Sequence, residues 1–429
     1  MKIEKINAIE ILDSNGNPTL ETTIELLDGT VATASVPSGA STGKNEVLEL
    51  RDGDPNRYNG KGVEKAVGIV NNEIARLVED KEFKSQEEFD KLLIQADGTP
   101  LKTRLGGNSI LSCSIAFCKV VAKSLGIELF DYISMVYCGD EYNTSSSRKL
   151  AVPTPLLLVL EGGKHGNWAT DIQEYMIIPN MEKFMHFKDA LMAGVCVYKS
   201  IEKILNEKGY STGVGFEGAF APKEIQSNKE GFEIIVEGIK LAGYTPGEDF
   251  NLAIDVASSE FFNEQNKKYA LKRENRELNA DEWFQLQKEW YKEYPIISIE
   301  DPFEQDDWDM WSKFTAEFGN RFVVGDDLLT TNVVRIQKGI EKKSANAVLI
   351  KPNQIGSVTE TLQAIKLGSN NNLNSIISHR SGETTDSFIA DLAVATPARY
   401  AKFGGPSRGE RIVKYNRLLE IESIIKNNR

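Results

Sequence analysis

The chain has 429 residues, 41% of them hydrophobic and 26% charged, with 63 acidic side chains against 50 basic ones and a net charge of −13. That balance argues against nonspecific nucleic-acid binding, yet leaves an anionic small substrate open, because the charge at a site can oppose the global sign. No apolar run reaches the roughly 18 residues of a membrane span, Met1-Lys-Ile-Glu-Lys leads into strand-like sequence rather than a signal peptide, and Cys113, Cys118, Cys138 and Cys196 lack C-x-x-C spacing, so a reduced, cytoplasmic setting is expected.

Residues 3–35 alternate as an antiparallel meander. Strands are expected at Ile6–Leu12, Thr19–Leu27 and Thr30–Ser35, separated by the turn cluster Asp13–Pro18 and the hairpin signal Asp28-Gly29. The loop Val36–Gly43 is small and polar. It reads as a plain connection, or as a segment whose Ser38, Ser41 and Thr42 hydroxyls could close over a phosphate or coordinate a hard cation. Helical periodicity runs from Gly62 to about Tyr132, and the polar stretch Gly139–Arg148 reads as a linker. The expected organisation is an α+β domain over residues 1–140 and an α/β barrel over residues 141–429.

The barrel is expected to start at Pro155–Leu160 and to continue with Ile172–Pro179, where Gln173 and Glu174 interrupt an apolar run. A carboxylate there is paired or keeps its proton to higher pH. Glu217 is the one acid in the glycine-rich Gly213–Pro222. Such crowding of glycines suits close approach to a ligand, and equally a loop without chemistry. Then a pattern sets in that, after a longer first gap, repeats about every 25 residues, the length of a strand–helix unit. Short apolar runs end in Asp255, Glu300, Asp326, Lys351, His379 and Lys402. One strand ending in an acid is usually a helix cap or loop charge. Six in register point to one site, because α/β barrels place function at the C-terminal ends of their strands. Of the three histidines, His186 lies in a helical pattern and reads as structural. His165 and His379 follow strands into Gly/Ser-rich loops and read as functional.

Ten segments spread over nearly the whole chain resemble enolase. Among them are Val36-Pro-Ser-Gly-Ala-Ser-Thr-Gly43, Gln173-Glu174, Ser298-Ile-Glu-Asp-Pro-Phe303, Gly325-Asp-Asp-Leu328, Leu349-Ile-Lys-Pro-Asn-Gln-Ile-Gly356, Ser378-His-Arg-Ser-Gly-Glu-Thr384 and Arg408-Gly-Glu-Arg411. The resemblance implies an α+β capping domain before an atypical TIM-like barrel that begins with two strands and two helices. It implies a lyase that dehydrates 2-phosphoglycerate with two Mg²⁺, assembled as a homodimer or a higher oligomer of dimers, and a secondary surface location is compatible with it. Asp255, Glu300 and Asp326 would bind the first Mg²⁺, and Ser41 would help hold the second. Lys351 would be the base, and Glu217 the acid supported by Glu174 and Gln173. Arg380 and Ser381 would bind phosphate with His379 beside them, Lys402 would meet the carboxylate end, and His165 would sit over the substrate. A lysine base needs a lowered pKa, which burial and nearby cations would supply.

The chain also departs from the family pattern. Asn15 stands where the family has Arg, Glu161 where it has Asn, Gly166 and Gly107 where it has Ala, Phe216 where it has Asp, and Ala219 where it has Gly. These changes keep open an enolase-family enzyme for a related phosphorylated or phosphonate acid. A non-catalytic or surface-binding role would be favoured by loss of Lys351, Glu217 or a metal ligand, and none is lost.

Overall fold

In the computed structural model, residues 1–39, 43–139 and 150–427 are described. Ser41 and the expected domain boundary between residues 140 and 141 lie outside them. The alternating N-terminal sequence forms a three-stranded antiparallel sheet of β1 (Ile3–Leu12), β2 (Pro18–Leu26) and β3 (Val31–Ser35). Leu20, Ile24 and Leu26 point to one face and are buried, as the two-residue period requires. Helix Gly107–Ser124 packs on β2 and β3, and the Thr22 hydroxyl donates to Ser112 Oγ at 2.8 Å.

Eight further strands close a barrel. They are β4 (Thr154–Glu161), β5 (Glu174–Pro179), β6 (Phe250–Asp255), β10 (Ile296–Glu300), β11 (Phe322–Gly325), β12 (Ala347–Ile350), β13 (Asn374–Ser378) and β14 (Tyr400–Lys402). Around the ring the order is β10-β11-β12-β13-β14-β4-β5-β6. After β4 and β5 come helices Phe187–Glu207 and Asn228–Leu241, and only then does regular alternation begin. β5 runs antiparallel to both neighbours, and every other pair is parallel. Leu156, Leu158, Met176, Ile178, Ala253, Val324, Leu349 and Ile376 fill the interior, while the alternate residues pack outward on the helices. The barrel is thus a packed core with its chemistry at one end.

A small sheet of β7 (Phe262–Asn263), β8 (Lys268–Leu271) and β9 (Arg276–Leu278) follows β6 and was not legible in the sequence. Its strands are only two to four residues long, too short to show an alternating pattern, and Tyr269, Leu271 and Leu278 mark its inner face. The spacing Ser357-x-x-Glu360 predicts a capping box, and Ser357 accepts from Glu360 N at the start of helix Val358–Asn370. The Glu360 carboxylate does not complete a capping box, however, because it takes the Ser357 hydroxyl and buried Lys102 instead. A full box is at Asn279 and Glu282. Among the described residues no single helix is long and apolar enough to cross a membrane.

The N-terminal sheet and its helices dock on the mouth of the barrel. Ser14 N and Ser38 N donate to the carbonyls of Glu383 and Gly382. Val47 N donates to the Gln354 carbonyl at 3.0 Å. Asp90 accepts from Thr359 N and Oγ1 at the start of a barrel helix.

Candidate active site

Strand parity decides which side chains reach the mouth. Asp255, Asp326 and Lys351 each lie two residues beyond an inward core residue, namely Ala253, Val324 and Leu349. Each therefore points inward one layer above the apolar filling. Glu300 and Lys402 likewise follow Ser298 and Tyr400. Glu174 reaches the same end by the opposite route: β5 is reversed, so its first residue pairs with Asp255, the last residue of β6. Gln173, one residue before β5, donates to Asp255 Oδ2 at 3.4 Å. His379 is out of step with its strand, since Ile377 faces the helices, and it reaches the mouth because the chain turns after Ser378.

Lys402 is the hub of one half of the site. Its Nζ lies 2.8 Å from Glu300 Oε2, 3.0 Å from Glu174 Oε2 and 3.2 Å from Asp255 Oδ2, all buried. Burial and the Asp255 charge push Glu300 well above the usual carboxylate range, and burial with the Glu217 charge lifts Glu174 to about 7. Lys351 Nζ donates to Asp326 Oδ2 at 2.5 Å. Burial disfavours the ammonium, but Asp326 prevails and holds Lys351 above the ordinary lysine value. The nearest group is a carboxylate, whose pull is opposite to the lowering that a lysine base needs.

Glu217 occupies the other side. It enters from the loop joined to β4 by the Leu160–Phe220 bridge, three strands round the ring from Lys351 on β12. His165 Nδ1 lies 3.3 Å from Glu217 Oε1, and His379 Nε2 lies 3.2 Å from Oε2. These are ion-pair distances without hydrogen-bond alignment, since His165 Nδ1, His379 Nε2 and Glu217 Oε2 all lack a bonded partner. Arg411 Nη1 can only donate, so His379 Nδ1, 2.7 Å away, accepts, and the ring proton sits on Nε2 facing Glu217. Burial, with Arg411 alongside, lowers His379 to about 4. For His165, burial is outweighed by Glu217, Glu174 and Glu161, which lift it to about 9. The two histidines in turn outweigh burial at Glu217 and draw it well below the usual range. Lys351 charged and Glu217 ionised are the states that proton abstraction by one and donation by the other would leave behind.

Arg380 and Ser381 are buried at the third corner. Arg380 Nη1 meets Glu46 Oε2 at 2.8 Å and Asn353 Oδ1 at 3.2 Å. The Ser381 carbonyl accepts from Arg411 Nη2 at 2.7 Å. Lys351, Glu217, Glu174, Gln173, His165, His379, Arg380, Ser381, Lys402, Asp255 and Asp326 line one cavity, with Glu300 beneath it against Lys402.

Several residues there escaped the sequence reading. Asp301 caps Asp326 N and Asp327 N at 3.0 and 2.9 Å, and Asp301, Asp326 and Asp327 form a group tight enough to hold a metal, as do His165, Glu174 and Glu217. Asp255, Glu300 and Asp326 are not grouped so tightly, because Lys402 lies between two of them. Gln354 ties Asp326 Oδ1 at 2.8 Å to Glu46 Oε1 at 3.4 Å. Glu161 accepts the amides of Glu217 and Ala219. Paired acids after a strand, Glu300-Asp301 and Asp326-Asp327, were the available signal. Nothing local marks Glu46, whereas Glu161 ends the apolar run Pro155–Leu160 as the six site residues end theirs.

The donor set suits a hard dication. Eight acidic side chains line the cavity against Lys351, Arg380 and Lys402, so an anion could enter only with added positive charge. The carboxylate oxygens are the ligands Mg²⁺ prefers, and the described residues supply no thiolate there.

Two family models match the chain. One is described as the enolase N-terminal domain and matches residues 3–133; the other, the enolase C-terminal TIM barrel domain, matches residues 149–429.

Proposed function

The chain belongs to the enolase family, and from that premise we propose that it dehydrates 2-phospho-D-glycerate reversibly to phosphoenolpyruvate, as a carbon–oxygen lyase of glycolysis and gluconeogenesis. The observation that carries this reading is the placement of Lys351 and Glu217 on different sides of one buried, carboxylate-lined cavity. Lys351 takes the proton α to the carboxylate, and Glu217 delivers a proton to the departing hydroxyl, with Glu174 and Gln173 beside it. Asp255, Glu300 and Asp326 would hold one Mg²⁺ and Ser41 would help hold a second. Bound there, the ions would supply positive charge opposite a substrate carboxylate that gains a second negative charge. Arg380, Ser381 and His379 bind the phosphate, Lys402 meets the carboxylate end, and His165 covers the substrate. A cytoplasmic homodimer, or a higher oligomer of dimers, belongs to the same reading.

Glu161 and Phe216 favour a second reading, an enolase-family enzyme for a related phosphorylated or phosphonate acid. One assay separates the two. Ultraviolet absorbance of the enol phosphate should rise when 2-phosphoglycerate is added with Mg²⁺ and not without it. No rise at any Mg²⁺ concentration refutes the first reading.

A further inference from the structure

One buried acid beside the site has no part in the chemistry above. Glu161, the last residue of β4, is 1% exposed and points its carboxyl into the turn that carries Glu217. Its Oε1 accepts the amide of Glu217 at 3.1 Å and that of Ala219 at 2.7 Å, and Oε2 lies 3.2 Å from the Glu217 amide. The turn is wrapped closely around it. A Cβ on Gly215 would stand 2.3 Å from Glu161 Oε2, and one on Gly166 would stand 2.2 Å from the Glu161 carbonyl oxygen. Gly218 adopts φ +86°, which turns the chain back toward Ala219. The far side of the turn is held by other groups: Gly405 N donates to the Glu217 carbonyl, and the hydroxyls of Tyr198 and Ser407 donate to that of Gly218.

We propose that Glu161 is a positioning residue for the dehydration half of the reaction: through the amides of Glu217 and Ala219 it sets where the Glu217 carboxyl stands, and it does not touch the substrate. The inference rests on the enolase reading. It is specific to the acid side of the site, because every contact named for the Glu161 carboxyl is to the turn at 215–219 and none is to Lys351, Asp255, Glu300 or Asp326. Length is the property that matters. The carboxyl has to reach two amides at once, and a displacement of about 1 Å in a reacting group can cost about a hundredfold in rate. Charge matters less, since burial and the Glu217 charge both disfavour the ionised form of Glu161.

The test compares two rates for the full-length protein with Mg²⁺ and 2-phosphoglycerate in D₂O: α-proton exchange and formation of the enol phosphate, both followed by NMR. Glu161→Asp keeps the acid and withdraws it by one methylene. It should slow dehydration at least tenfold, with KM within about twofold and α-proton exchange near the wild-type rate. Glu161→Gln keeps the length and one accepting oxygen, and should restore dehydration to within a few-fold. Parallel loss of exchange and dehydration in Glu161→Asp would mark a merely structural residue and overturn the inference, and so would unchanged dehydration. A wild-type protein that performs neither reaction removes the enolase reading itself, and the inference with it.

Discussion

Glu174 and Asp255 are register partners on strands that run in opposite directions, one at the start of β5 and the other at the end of β6. The reversal of β5 brings a strand's first residue to the end of the barrel where the other strands place their last. Glu174 thereby joins Asp255 and Glu300 around the single Lys402 ammonium.

That cluster makes metal ligation testable. Asp255→Ala, Glu300→Ala and Asp326→Ala should each weaken Mg²⁺ binding at least tenfold and abolish turnover, with the far-ultraviolet dichroism of the fold retained. Calorimetric titration of each variant checks this. Unchanged Mg²⁺ affinity in all three would remove them from the ligand set.

Separation of Lys351 from Glu217 around the ring predicts separable half-reactions. Lys351→Ala should stop both dehydration and exchange of the α-proton with D₂O. Glu217→Gln should block dehydration and leave exchange measurable, because Lys351 and the carboxylates at Asp255, Glu300 and Asp326 remain. Each loss should be on the order of 10²–10⁴-fold. Exchange that survives in Lys351→Ala and vanishes in Glu217→Gln would reverse the two roles.

Asp90 predicts a pH-dependent stability away from the site. Burial is the largest influence on it and lifts its pKa from 3.8 to about 6, against hydrogen bonds from Ser114, Thr359 and Gln86. The folded chain therefore binds this proton more tightly than the unfolded one. The stabilisation is complete below pH 3.8 and is lost as pH rises through about 6, a change on the order of 3 kcal/mol. Asp90→Asn removes the titration. Its new amide can still accept from Thr359, and Gln86, whose Oε1 has no partner, can turn to accept from it. The stability of the wild type relative to Asp90→Asn should fall between pH 4 and pH 6.5. Urea unfolding of both proteins across that range measures it, and parallel curves would count against the shifted acid.

Thiol reactivity should follow burial. Cys113 and Cys118 are fully buried; burial pushes the first up to about 12 and the second well above its ordinary value. Cys196 is exposed. A thiol reagent at pH 8 should modify Cys196 within minutes in the native protein and reach Cys113 and Cys118 only after denaturation. Mass mapping of the labelled sites would decide, and rapid native labelling of Cys113 would contradict the packed helix.

The barrel and most of the residues at its mouth are legible along the chain. Apolar runs ending in Asp255, Glu300, Asp326, Lys351, His379 and Lys402 carry their meaning locally, because a strand buried on both faces must be apolar and its last residue is the first free to be polar. The resemblance to enolase rested on such local stretches, and the family models cover the same ground. What those side chains meet depends on how distant segments pack. Lys351 meets Asp326, whose charge holds the lysine above its ordinary value. Glu46 reaches Arg380 across 334 positions of sequence, and Glu161 reaches the amide of Glu217 across 56. Spacing along a chain fixes the direction of a side chain within its own strand or helix. It carries no information about which distant carboxylate will stand 3 Å away, and in a buried site that neighbour sets the charge.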